Sequence, residues 1–321
     1  MTPFISNYSE LIKNYITFKR NLGYEMSNQY HWLDIDRFLH SSEEKDIKFG
    51  ITEKQFQEWY HRRPNETYRN QYERACRLRG FSAYLKLLGY ESYQPRYFKV
   101  PAKRFTPYIF SREEIKRLFD AADSIASKNA AGSIELSSAI FRLLYSTGLR
   151  VGELTALKLE DVAISESIPH LKISNTKTKQ DRLVALSPSS SKVLQWYLSI
   201  RPNSEATEVF LNFKKIPITQ GTVYHWFRQL LCKAGIPHQG RGSGPRVHDL
   251  RHTFAVHSLH GMQEQGMDLY CSLPVLSKYL GHVGISSTDS YVRLTAEMYP
   301  EVLDAMSEVS RLVFPEVFDE A

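Results

Sequence analysis

Apolar positions recur at helical spacing along most of the chain, and strand-like alternation occurs over one short stretch. Near the N-terminus Leu11, Tyr15, Phe18 and Leu22 make one stripe, which Gly23 stops. Tyr30, Leu33, Phe38 and Leu39 make a second helix. Thr52 opens a third with Phe56, Trp59 and Tyr60 inward. Thr67 opens a longer fourth, through Tyr72, Cys76, Leu78, Phe81, Tyr84, Leu85 and Leu88 to Gly89. Residues 1–92 therefore read as a small helical domain. Residues 93–110, YQPRYFKVPAKRFTPYIF, carry three prolines, four basic residues and no acid, which suits a linker rather than a regular element.

A second domain is expected over 111–321. Ser111 with Glu113 and Glu114 starts a helix running to about Ala126, and residues 134–147 form an apolar helix that stops at Gly148. LRVGELTALKLEDV follows, with Leu149, Leu154, Leu157 and Leu159 apolar, so Arg150 sits at the mouth of the turn between two helices. HLKISNTKTKQDRLVAL alternates as two strands around a polar turn near Lys179 to Asp181. Helices are expected at 188–200 and 219–234. GRGSG at 240–244 has neither the GK[ST] ending nor the preceding strand of a P-loop. The stretch VHDLRHTFAVHSL, Val247 to Leu259, puts Val247, Leu250 and Phe254 on one stripe, with His248 and Arg251 side by side at i and i+3. Leu273 to Leu280 forms a helix closed by Gly281 and followed by His282. Ser286 or Ser287 caps a helix carrying Tyr291, and a last helix starts near Pro300. The fold class is mainly α with a small β-sheet.

Composition adds a partner class. The 321 residues, 42% hydrophobic and 24% charged, suit a two-domain globular protein. A net charge of +6 and a pI near 9.0 favour an anionic partner. Arg62, Arg63, Arg69, Arg74, Arg77 and Arg79, interleaved with Tyr68 and Tyr72, could grip a phosphate backbone; equally they could form a solvated face paired with Glu58, Glu66 and Glu73. Lys99, Lys103 and Arg104 of the linker could lie along the same polyanion. Cys76, Cys232 and Cys271 have no disulfide or zinc spacing, which points to a reducing compartment. The N-terminus lacks signal-peptide character and no run of about 18 apolar residues occurs, so a cytoplasmic protein is expected.

The chemistry is narrower than the composition. An imidazole beside a permanent guanidinium suits a phosphodiester. His252, His257 and His260 invite a metal reading, but HDLRH lacks the glutamate of HExxH, and Arg251 between two ligands would repel a dication. No metal is expected. Arg150 has a structural reading, pairing with Glu153 or Asp161, and Lys177 could be simply solvated.

Five segments in order resemble the tyrosine recombinase (phage integrase) family: TGLRVGEL with Arg150, TKTKQDRLVAL with Lys177, HDLRH with His248 and Arg251, LGH with His282, and Tyr291 nine residues later. The resemblance implies a helical core-binding domain over 1–92, the linker at 93–110, and an α+β catalytic domain with a C-terminal tail over 111–321. It implies that Tyr291 attacks a DNA phosphate to give a 3′-phosphotyrosine, without metal, ATP or other cofactor. It further implies that Arg150 and Arg251 clamp the nonbridging oxygens, His282 donates to them, His248 supplies or assists the base, and Lys177 protonates the departing 5′ oxygen. Composition alone does not choose Tyr291 over Tyr270, Tyr279 or Tyr299; the spacing from His282 in the family does. The expected partner is double-stranded DNA in a C-shaped clamp, with a homotetramer acting on two sites. Type IB topoisomerase-like relaxation and a non-catalytic DNA-binding protein are the alternative readings. Two departures stand out. The interval from Arg251 to His282 is longer than is common, and the excess in HGMQEQGMDLYCSLP is expected to be a surface excursion. The chain also begins almost directly with the core-binding domain, without an arm-site domain.

Overall fold

The computed structural model describes residues 3–26, 29–42, 46–96, 106–124, 133–174, 181–240 and 244–282, together with 291, 293–295, 298 and 299. Lys177, Lys99, Lys103, Arg104, most of GRGSG, the expected caps Ser286 and Ser287, and the helix and tail from Pro300 lie outside them. The chain divides into two compact units, Met1–Phe105 and Thr106–Ala321.

The first unit contains α1 (Ser9–Asn21), α2 (Tyr30–Ser41), α3 (Glu53–Tyr60) and α4 (Tyr68–Leu87). Thr52 caps α3 reciprocally with Gln55, and the Thr67 hydroxyl caps α4. The inward faces of the first two helices differ from the expected stripes. Ile12, Tyr15 and Ile16 are buried on α1 while Leu22 is 58% exposed; on α2 Trp32, Ile35 and Leu39 are buried and Tyr30 is 64% exposed. Each short helix carries two overlapping apolar stripes, and packing of α1 against α4, and of α2 against α1 through Tyr15 and Trp32, selects one. Arg74 also departs from expectation. It is buried, donates to the Trp59 and His61 carbonyls and pairs with Glu66 at 2.8 Å, so it holds the α3–α4 connection together instead of facing a partner. Tyr93, expected in the linker, donates its backbone N–H to Ile51 O at 2.7 Å and belongs to this unit.

In the second unit α5 (Arg112–Ala122) starts at a Ser111–Glu114 capping box. Then come α6 (Ser133–Thr147), α7 (Val151–Thr155), β1 (Val162–Ala163), β2 (His170–Ile173), β3 (Arg182–Ala185), α8 (Pro188–Ile200), α9 (Gln220–Lys233), α10 (Asp249–Glu264) and α11 (Leu269–Leu280). The three strands form an antiparallel sheet in the order β1-β2-β3, one strand more than the alternation showed, because β1 is only two residues long. Leu171, Ile173 and Val184 face the core, and the register sets Arg182 opposite Ile173 at the turn end of the hairpin.

Leu136, Ile140, Phe141, Leu143 and Leu144 make α6 apolar almost all round, so it is buried against α5, α8 and α10. Phe110 is buried with its N–H on the Thr253 hydroxyl, so the linker's end also belongs to a folded unit. α10 begins two residues later and ends five later than expected, with His248 at its N-cap. The segment HGMQEQGMDLYCSLP completes α10 and begins α11 around a turn at 265–268, and residues 264–268 are exposed, so the excess lies at the surface as helix ends and a short turn.

Gly148 joins α6 to α7 at φ +61°, and a Cβ there would stand 2.5 Å from Phe254 and 2.9 Å from Leu280. Gly148→Ala therefore combines left-handed strain with overlap and should cost about 1–3 kcal/mol. Urea unfolding followed by intrinsic fluorescence should show a lower midpoint; an unchanged midpoint would contradict the packing described.

Candidate active site

Glu153 organises the site. It lies in the first turn of α7, where Oε2 accepts the Arg150 backbone N–H at 2.9 Å and Oε1 accepts the Arg150 guanidinium at 2.7 Å. Arg182 reaches the same carboxylate from β3 with two bonds of 3.0 and 2.8 Å, the bidentate geometry that a planar guanidinium favours. Burial alone would raise the Glu153 carboxyl; the bonds from Arg182 and Arg150 overrule it and bring it down to about 2. Arg182 also donates to Tyr279 O, tying the hairpin to α11.

Arg251 is the most enclosed charge in the group, at 2% exposure. It donates to Gly148 O at 2.7 Å and Leu280 O at 2.6 Å, carbonyls at the ends of α6 and α11, and stands 4.0 Å from Glu153. Burial and the neighbouring Arg150 lower it to about 10, which leaves it protonated at neutral pH. Three guanidiniums thus share one carboxylate. A guanidinium has five N–H donors. The bonds to Gly148 and Leu280 occupy two on Arg251, leaving capacity for an anion.

Around these charges stand three histidines and a tyrosine. His252 Nδ1 lies 2.9 Å from the Tyr291 hydroxyl, His248 meets His252 edge to face with ring centres 4.9 Å apart, and His282 stacks near Tyr291 at 6.0 Å. Burial first, and then the surrounding positive charge, pushes His248, His252 and His282 down to about 4 each. Tyr291 is 3% exposed; burial raises its phenol, while Arg251 and Arg150 pull the other way without winning. Arg150 and His248 also line an open cavity of about 1000 Å³ with Lys158, Lys172, Gln220 and Tyr224.

The structure thus gathers Arg150, His248, Arg251, His282 and Tyr291 as the sequence motifs suggested, and the longer interval before His282 has not moved it away from Tyr291. Lys177 belongs to the hairpin turn outside the described residues. Arg182 and the Tyr291 contact of His252 were not foreseen. An arginine inside an alternating apolar strand was the available signal for the first. For His252 there was none, because its partner is 39 residues downstream. Of the remaining histidines, His257 bonds to the Tyr145 hydroxyl and His260 stacks on Tyr299. Among the described residues no group of three His, Cys, Asp or Glu side chains is placed to hold a metal ion.

Residues 109–298, which contain this whole arrangement, match the sequence pattern of the phage integrase family. The chain belongs to that family of tyrosine recombinases. The recombinase is 28% identical over 309 residues to a Sinorhizobium fredii protein, integrase/recombinase y4rB, covering 93% of this chain and 96% of that one. It is 31% identical over 204 residues to the tyrosine recombinase XerC of Staphylococcus saprophyticus, covering 62% of each. The Tn1549 transposon integrase in complex with circular intermediate DNA shares the fold, with a TM-score of 0.64 and 17% identity over 88% of this chain and 94% of that one. A lambda integrase dimer bound to a COC′ core site has the same coverages, with a TM-score of 0.61 and 16% identity.

On the first unit, Arg62, Arg63 and Arg69 are exposed. Arg63 pairs with Asp34, Arg69 with Glu73 and Arg62 lies over Tyr68; Arg77 stands 3.7 Å from Glu73. This face is therefore partly neutralised by its own acids. No described helix is long and apolar enough to cross a membrane.

The depressed histidines set the acid response of the recombinase. His248, His252, His257 and His282 bind protons near the ordinary 6.5 when unfolded but only near 4 when folded. Their contribution to stability is thus complete above pH 6.5 and is lost as pH falls towards 4. Glu153 adds a second loss, below about pH 4.5 and down towards 2. The melting temperature should already drop between pH 7 and 5, before carboxylates titrate; a flat profile over that range would contradict this. Glu153→Gln leaves Arg182 without its counter-charge and should cost about 3 kcal/mol at pH 7, read from denaturant midpoints.

Proposed function

We propose that the chain breaks and rejoins DNA strands at specific sites through a covalent bond between Tyr291 and a 3′ phosphate. The observation that carries this reading is one phenol gathered with Arg150 and Arg251 in a buried site where, among the described residues, the Glu153 carboxylate faces three guanidiniums and leaves positive charge in excess. A phosphodiester supplies the missing negative charge. Arg150 and Arg251 then hold its nonbridging oxygens, and they hold them more tightly as charge builds up on those oxygens during attack. His282 and His248 stand beside the same space and can donate to it once protonated or suitably tautomerised. Lys177, by the family resemblance, gives a proton to the departing 5′ oxygen.

The phosphotyrosine retains the energy of the broken ester, so rejoining to another strand requires neither ATP nor a metal. The family supports site-specific exchange over simple relaxation, since the XerC relative is named a tyrosine recombinase and the Tn1549 neighbour a transposon integrase. Binding is to double-stranded DNA, and the acting assembly is a homotetramer on two sites. In the first unit Arg62, Arg63, Arg69, Arg77 and Arg79 are the candidates for phosphate contacts, with Lys99, Lys103 and Arg104 in the basic segment after it. Arg74 is excluded by its burial.

A nicked duplex drawn from DNA flanking the gene should trap a protein–DNA adduct that survives denaturing electrophoresis and is indifferent to EDTA. Tyr291→Phe should abolish it, and Arg150→Ala or Arg251→Ala should slow it by about 10²–10³-fold. An adduct still formed by Tyr291→Phe would place the nucleophile elsewhere. Affinity for duplex DNA should fall steeply with salt, and Arg69→Ala should reduce the slope of log K against log salt by about 1. A salt-independent affinity would oppose the reading.

A further inference from the structure

We propose that His252, rather than His248, takes the proton from the Tyr291 hydroxyl as that oxygen attacks phosphorus. This rests on the reading of the chain as a strand-cleaving enzyme and assigns its base. A tyrosine hydroxyl enclosed in protein needs a hydrogen-bond partner. Among the described residues the partner of Tyr291 is His252 Nδ1, at 2.9 Å. His248 reaches that hydroxyl by no hydrogen bond among the described residues; its ring meets the ring of His252 instead. His282 lies alongside the Tyr291 ring, with planes 22° apart and centres 6.0 Å apart.

The groups facing His252 are Tyr291, His248, Arg246, Arg251 and His282. Burial and the positive members of that set keep its imidazole neutral, and in the tautomer that carries the proton on Nε2 the Nδ1 atom accepts from the phenol. Without DNA, therefore, the phenol stays protonated and the base stays weak. Burial depresses the imidazole most, and Arg246, Arg251 and His282 add to it; a phosphate held at Arg251 offsets that arginine's share, and the basicity of His252 rises by that much when substrate is in place. DNA docking thus arms the nucleophile.

In the step itself the Tyr291 O–H bond breaks and its proton passes to His252 Nδ1. The tyrosine oxygen bonds to phosphorus, the bond from phosphorus to the 5′ oxygen breaks, and the leaving oxygen takes a proton from the general acid. Rejoining runs the same transfers backwards, with His252 returning the proton to the tyrosine oxygen.

His252→Asn keeps an acceptor near the Nδ1 position but cannot take up a proton at any working pH. On the nicked flanking duplex, single-turnover adduct formation by the wild type should rise with pH and level off. His252→Asn should be slower by about 10²–10⁴-fold at neutral pH, should show no plateau, and should close on the wild type as pH rises. His248→Asn should keep the plateau. Independently, ¹⁵N-histidine NMR of the wild-type chain, with His252 assigned by the signals lost in the variant, should show Nδ1 unprotonated at pH 7. A wild-type pH profile and rate retained by His252→Asn, or a protonated Nδ1, would overturn the assignment while leaving strand cleavage intact. No adduct from the wild type would overturn both.

Discussion

Everything in the site leans on the Glu153 carboxylate. It is a first-turn residue of α7 that reaches back to the backbone and side chain of Arg150 and across to Arg182 on β3, so one side chain joins the helical core to the sheet. Two unit charges 4 Å apart interact by about 4 kcal/mol at an effective dielectric of 20. One carboxylate therefore steadies two guanidiniums and leaves Arg251, 4.0 Å away, only partly compensated. A site assembled this way is held in shape and still short of negative charge. Those two properties are what a phosphodiester site needs, and they come from one interaction.

The backbone is arranged to keep Arg251 in that position. Gly148 ends α6 in a conformation that suits glycine, which turns its carbonyl towards Arg251, while the end of α11 offers Leu280 O from the other side. Helix C-termini carry partial negative charge, so these carbonyls stabilise a buried cation without neutralising it. Arg182 donates to Tyr279 O next to the same helix end. The segment that precedes His282 is thereby fixed by two arginines, which explains how the rest of α10 and all of α11 can intervene between Arg251 and His282 while the imidazole still lies beside Tyr291. The cost is acid sensitivity. Burial first, and then positive charge dense enough to hold a phosphate, suppresses protonation of His248, His252 and His282.

Much of this was legible in the sequence. Arg150, His248, Arg251, His282 and Tyr291 were picked out by motifs that resemble the tyrosine recombinase family, and helix ends at Gly23, Gly89, Gly148 and Gly281 follow from glycine's tolerance of positive φ. What could not be read depended on tertiary contacts. Ile12 and Ile16 displaced Leu22 from the inner face of α1 because the neighbouring helix decides between two stripes. Arg74 looked like its exposed neighbours on α4, but Glu66 and two carbonyls drew it inward. β1 is too short to show alternation. His252 drew only a metal reading that its motif does not support, because nothing within its own helix marks a partner that the fold brings from far along the chain.

The account turns on one phosphate filling the charge deficit that Glu153 leaves among Arg150, Arg182 and Arg251. The most direct measurement is a structure of the Tyr291→Phe protein bound to duplex DNA from its own locus. The account predicts a single backbone phosphate whose nonbridging oxygens lie about 3 Å from nitrogens of both Arg150 and Arg251, with Glu153 still joining Arg150 to Arg182. A DNA backbone that bypasses both arginines, or a phosphate that takes Arg182 from Glu153, would contradict it.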